Sequence, residues 1–157
     1  MKTIIKIILL YLLVFVSTVF AQEAQKIEQF EIVSCEEYLS RMDNVFLAVS
    51  ANLTSKICVF VYEGKELAYS GKNGEFKIFL PRFGQAKAKI NSMIKRLSFI
   101  KRSANNLVFI EGGFRENLSV EFWLVPLGVE PPKPTPTLKK MKYRKGKPFG
   151  FCVGCCG

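Results

Sequence analysis

The chain reads as an α+β domain, two helices packed on a mixed β-sheet in the order β-α-β-(hairpin)-α-β-β. Three observations predict it. Two segments, beginning at Cys35 and Gly84, repeat apolar residues at helical spacing. Ile57–Tyr62 (ICVFVY) is an unbroken apolar run, as in a central strand covered by helices. Val108–Pro126 holds two β-branched and aromatic runs, Leu107–Ile110 and Leu118–Val125, around Gly112-Gly113 and a polar stretch, which predicts a β-hairpin carrying the only Trp, Trp123.

In chain order, the first residues have the form of a secretory signal. Lys2 and Lys6 precede an apolar core, Ile7–Val16, and Ser17–Ala21 ends on a small residue before Gln22. A core of about ten residues is short against the roughly 20 a spanning helix needs, so cleavage after Ala21 and a periplasmic or secreted destination are expected. The chain then divides into a globular domain over 22–130, a Pro-rich linker over 131–137 and a basic, Cys-containing tail over 138–157. Alternating prolines favour extended polyproline geometry, which makes 131–137 a semi-rigid spacer.

Gln29–Val33 reads as a first short strand. Ser34-Cys35-Glu36-Glu37 has the form of a capping box, and Leu39, Met42, Val45, Phe46 and Val49 follow at helical spacing, giving a helix over 35–51. The Ile57–Tyr62 strand is expected to end at Glu63-Gly64. Lys72-Asn73-Gly74, between Leu67–Tyr69 and Phe76–Leu80, is the strongest short hairpin signal in the chain, because both central residues of Asn-Gly tolerate positive φ. Pro81 closes that hairpin and Gly84 opens the second helix. Its apolar stripe is Ala86, Ile90, Met93, Ile94 and Leu97, with Lys87, Lys89, Lys95 and Arg96 on the other face. Glu111, Glu116 and Glu121 are expected to face solvent.

The net charge of +10 belongs mainly to the tail. Lys133, Lys139, Lys140, Lys142, Arg144, Lys145 and Lys147 have no acidic residue among them, whereas 22–130 is almost neutral. Within that domain the charge is lopsided, because Lys77–Arg102 contains basic residues and no acid, while 22–37 is rich in glutamate. Arg82, Lys87, Lys89, Lys95, Arg96 and Arg115 are therefore the candidate binding residues, with an anionic envelope polymer, peptidoglycan or lipid head groups as partners and peripheral contact at most with a membrane. Nucleic acid is not expected, since no aromatic platform interleaves the tail charges.

There is no His and one Asp, Asp43, which excludes Ser-His-Asp and Cys-His nucleophile systems and His-ligated metals. No phosphate loop is present, because Gly112-Gly113 leads into a strand. A non-enzymatic protein without cofactor or metal is expected. Asn52-Leu53-Thr54 and Asn117-Leu118-Ser119 match the glycosylation triplet. Five cysteines are an odd number, so one is left over or pairs between chains, in a disulfide-linked partner or dimer. Cys58 reads as a small apolar core residue. Cys35, Cys152, Cys155 and Cys156 are the disulfide candidates, for instance with the tail folded back from Cys35. The alternative is a thiol-disulfide or metal-binding protein acting through Cys152-Val153-Gly154-Cys155-Cys156.

The segments Leu39–Val49, Cys58–Gly64, Lys89–Leu97, Val108–Gly113 and Ser119–Val125, in this order, resemble the OmpA-like C-terminal domain of bacterial envelope proteins. The resemblance covers about 30–126 and implies a sheet with two helices and a place at the cell envelope. In that family an Asp after the Gly of the second strand and an Arg opening the second helix hold the diaminopimelate of peptidoglycan. Here Lys65-Glu66-Leu67 follows Gly64, and Lys89 stands at the Arg position without its bidentate fork. The chain also resembles a group of secreted bacterial proteins with a Gly-Gly-Tyr/Phe-Arg-Glu turn, a Val-Glu-Leu/Phe-Trp strand and a Pro-Thr-Pro tail, a likeness that implies no activity.

Overall fold

The computed structural model describes residues 23–31, 33–51, 55–70, 75–101 and 105–152. The expected signal segment, Asn52–Thr54, Asn73-Gly74 with its expected turn, Cys155 and Cys156 lie outside them. The elements are β1 (Gln25–Phe30), α1 (Cys35–Ala51), β2 (Ser55–Ser70), β3 (Glu75–Phe79), α2 (Gln85–Phe99), β4 (Leu107–Asn117) and β5 (Ser119–Pro126). This is an α+β architecture with a mixed sheet. Among the described residues no helix is long and apolar enough to cross a membrane.

Strand β2 is the axis of the sheet. Its first half pairs antiparallel with β5 on one side and parallel with β4 on the other, β1 lies outside β5, and its second half pairs antiparallel with β3. Ile57, Val59 and Val61 pack with Phe30, Val120 and Phe122 against Tyr38, Leu39, Met42, Val45 and Phe46 of α1 and Ala86, Met93 and Leu97 of α2. The alternate residues Cys58, Phe60 and Tyr62 point to the opposite face, where Val125, Trp123, Ile110 and Val129 meet them. A strand apolar on both faces is thus covered on both, by helices on one side only.

Both helices begin where their local chemistry places them. The Ser34 Oγ accepts the Glu37 N–H at 3.2 Å, which caps α1, while the Glu37 carboxylate turns to Arg41 instead of closing the reciprocal half of a capping box. Gly84 precedes α2 with φ of 78°, a left-handed conformation that glycine adopts without strain.

Several expectations are corrected. The first strand lies earlier, over Gln25–Phe30, because its partners on β5 run from Leu124 to Val120, and the chain turns toward α1 after Phe30. Strand β2 does not end at Gly64 but continues to Ser70 as one arm of the β2–β3 hairpin. The buried stripe of α2 contains Lys89, whereas Ile94 is 43% exposed, since Glu66 on β2 supplies the charge that lets Lys89 enter. Glu121 is buried, accepts hydrogen bonds from Lys26, Arg115, Trp123 and Tyr62, and is neutralised by the two cations among them.

The largest correction concerns Val108–Pro126. Strands β4 and β5 do not pair with each other; they flank β2 on opposite sides. The link Asn117-Leu118-Ser119 therefore crosses over β2, and it does so at Gly64. A Cβ there would lie 2.2 Å from the Asn117 carbonyl carbon and 2.5 Å from the Leu118 nitrogen. The Leu118 N–H donates to the Lys65 carbonyl at 2.8 Å, and the Asn117 side-chain amide to Glu31 at 3.1 Å. Gly112-Gly113 is not the turn; it sits in β4 at a register shift beside Tyr62, whose ring lies 2.6 Å from where a Gly112 Cβ would stand.

Candidate functional site: the C-terminal strap and its anchors

Residues 131–152 run over the domain as a strap. Pro131, Pro132, Pro134 and Pro136 have no N–H, which leaves Lys133, Thr135 and Thr137 as the donors of the Pro-rich stretch. Two of these are used: the Thr135 N–H donates to the Tyr62 hydroxyl at 3.1 Å and the Thr137 N–H to the Phe114 carbonyl at 3.0 Å. Arg115 donates in turn to the Thr135 hydroxyl at 2.7 Å. The strap therefore starts on the face of the sheet opposite the helices.

It then passes the edge of β4 to the start of α2. Tyr143 donates its hydroxyl proton to the Glu63 carboxylate, and the Arg144 N–H donates to the Pro81 carbonyl at 2.9 Å. The Arg144 guanidinium reaches Glu66 at 3.3 Å. Along α2, the Phe151 N–H donates to the Ser92 hydroxyl at 2.7 Å, and the Phe151 ring stacks on Tyr38 of α1 at 4.3 Å. The path ends in a disulfide between Cys152 and Cys35, with Cα atoms 5.9 Å apart. This is the folded-back tail expected from the cysteine count, and such a bond fits an oxidising space outside the cytoplasm. Cys58 remains free and buried, as its place in β2 predicts.

Two buried charge centres lie under the strap. Glu66 receives Lys89 at 3.0 Å as well as Arg144, and burial holds the Lys89 ammonium below the usual lysine range, with Glu66 opposing that shift. Glu121 receives Lys26, Arg115 and the Trp123 indole N–H. Burial alone would raise its pKa, but those hydrogen bonds and the Arg115 charge outweigh burial and hold the carboxyl below the usual glutamate range. Arg115 completes this centre by lying 3.6 Å over the Tyr62 ring.

The candidate binding residues consequently separate. Arg82 donates to the Lys147 carbonyl at 2.7 Å and lies over the Phe149 ring; Lys89 and Arg115 are engaged as described; Arg96 sits 3.6 Å from Asp43. Lys87 and Lys95 are exposed, Lys95 lining a hollow with Gly150 and Phe151. The basic residues of α2 are thus not one open face. Sequence reasoning missed Glu63, Glu66, Tyr143 and Phe151. The one signal for the last two was the placing of aromatic residues among tail lysines, where a solvated tail has no use for them. Among the described residues no group of His, Cys, Asp or Glu could hold a metal ion. Compared with known proteins, the chain matches no family model, no curated protein and no solved structure.

Proposed function

We propose that this is a non-enzymatic binding or scaffolding domain at the cell envelope, whose strap presents a fixed row of lysines to an anionic polymer or to lipid head groups. One observation carries the reading. The strap is held at Thr135, Thr137, Tyr143, Arg144, Phe151 and Cys152, yet Lys139, Lys140, Lys142, Lys145 and Lys147 between those anchors, and Lys133 just before them, are all exposed. A charged segment already ordered before binding avoids the entropic cost a free tail would incur on contact. Exposed Lys87 and Lys95 on α2 add to the same charge.

The OmpA-like resemblance of the sequence points to an envelope setting. In that comparison Lys89 stands at the position of the ligand-holding Arg and no Asp follows Gly64; here Lys89 is paired with Glu66. The anion is therefore assigned to the strap lysines and not to Lys89. Binding of the mature protein to anionic vesicles and to peptidoglycan across a salt series tests this. Affinity should fall as salt rises and should collapse when Lys139, Lys140, Lys142, Lys145 and Lys147 are replaced by Gln. Absent or salt-insensitive binding sinks the proposal.

A further inference from the structure

Where the strap passes the start of α2, a hollow of about 270 Å³ opens between Glu63, Phe83, Gly84, Ala86, Glu111 and Tyr143, with Phe114 as a further wall. Its aromatic residues are set at right angles. The Tyr143 ring is inclined 74° to Phe83, with centroids 5.6 Å apart, and 78° to Phe114 at 6.5 Å. Phe83 is 79% exposed, so it contributes little to the core and stands as a wall of the hollow.

Two carboxylates complete the surroundings. Glu63 is buried and accepts hydrogen bonds from the Ala86 N–H at 3.0 Å and from Tyr143, but no cation among the described residues pairs with it. Glu111, on β4, is exposed and likewise without a cationic partner among them. A buried carboxylate without a counter-charge is costly, which favours a positive group beside it. Aromatic rings lining a hollow beside carboxylates offer a cation the ring quadrupole as well as negative charge, a combination that suits quaternary ammonium groups. The volume is below the ~300–1,000 Å³ of pockets for drug-sized ligands, so it fits a single head group.

We propose that this aromatic hollow is a binding site for a quaternary ammonium head group, carried by a small solute or by a choline lipid. Phe83, Phe114 and Tyr143 supply the cage and Glu63 and Glu111 the negative field. Tyr143 of the cage belongs to the strap, between Lys142 and Arg144, but the cage takes a cation whereas the strap lysines attract charge of the opposite sign.

Titration calorimetry with choline at constant ionic strength, beside its neutral isostere 3,3-dimethyl-1-butanol, tests the assignment. Choline should bind saturably and the isostere at least ~10-fold more weakly, because only the cation uses the ring quadrupole. Phe83→Leu keeps an apolar wall and should weaken choline about fivefold or more. Glu111→Gln, at an exposed position, should weaken it as well. Retention on neutral phosphatidylcholine vesicles that Phe83→Leu abolishes would identify a lipid source; choline binding without such retention would identify a solute. Equal affinity for choline and the isostere, or an unchanged Phe83→Leu protein, would overturn the proposal, as would no heat with choline up to about 50 mM, where even millimolar affinity saturates.

Discussion

The Lys89 ammonium on α2 lies 3.0 Å from the Glu66 carboxylate on β2, and their side chains are only 7% and 3% exposed. Arg144 of the strap closes on the same carboxylate, so sheet, helix and tail meet at one buried charge.

Removing one member of this pair leaves the other buried without its partner. Glu66→Gln should lower stability by about 3–5 kcal/mol in urea unfolding, whereas the double change Glu66→Gln with Lys89→Met should cost much less. Equal losses in the single and double variants would refute the coupling.

The crossing of Asn117-Leu118 over Gly64 makes a sharper demand. Gly64→Ala drives a methyl group into the Asn117–Leu118 peptide bond of the crossover, 2.2 Å from its carbon and 2.5 Å from its nitrogen, which no side-chain rotation relieves. The protein should lose its cooperative thermal transition or melt far lower. Gly128→Ala, at a turn with φ of 84° but nothing within 4 Å, should cost only about 1 kcal/mol.

The disulfide closes a loop of 117 residues. Reduction, or Cys35→Ser, should lower unfolding stability by about 4 kcal/mol through the entropy returned to the unfolded chain. The strap end should also loosen, detectable as faster hydrogen exchange at the Phe151 amide, which donates to Ser92 in the closed form. Unchanged exchange at Phe151 in the reduced protein would show that the other anchors suffice.

Glu121 predicts the response to acid. Its folded pKa is held below the unfolded value near 4.3, so its contribution is present above pH ~4.3 and is lost as pH falls through the folded pKa. Melting temperature should therefore drop below about pH 4, and Glu121→Gln should be less stable at neutral pH but show a flatter acid limb. A variant whose acid limb keeps the wild-type slope would assign the acid sensitivity elsewhere.

Much of the local structure was legible in the chain. Ser34 and the spacing behind it locate α1, the runs Leu67–Tyr69 and Phe76–Leu80 locate the arms of the β2–β3 hairpin, and the two-faced run Ile57–Tyr62 identifies the central strand. These signals work because capping, turn geometry and periodic burial act within a few residues. The pairing of β4 and β5 was misread, because two strand-like runs joined by a short link look the same whether they face each other or straddle a third strand. Gly64, whose missing side chain permits the crossing, carries that information without announcing it.

By itself the sequence determined the α+β class, both helices, the central strand, the concentration of positive charge in the tail and the availability of a tail cysteine for Cys35. These follow from composition and short-range pattern. Only the tertiary structure decided which charges are spent and which are free. Lys89, Arg96 and Lys95 share one helix, yet Glu66 and Asp43 claim the first two and leave the third in solvent. It also turned the apparent spacer after residue 130 into a pinned strap, since the partners of Thr135, Tyr143 and Phe151 stand 59–80 residues away in sequence. Contacts across such distances depend on where the folded sheet brings each residue, which no local pattern encodes.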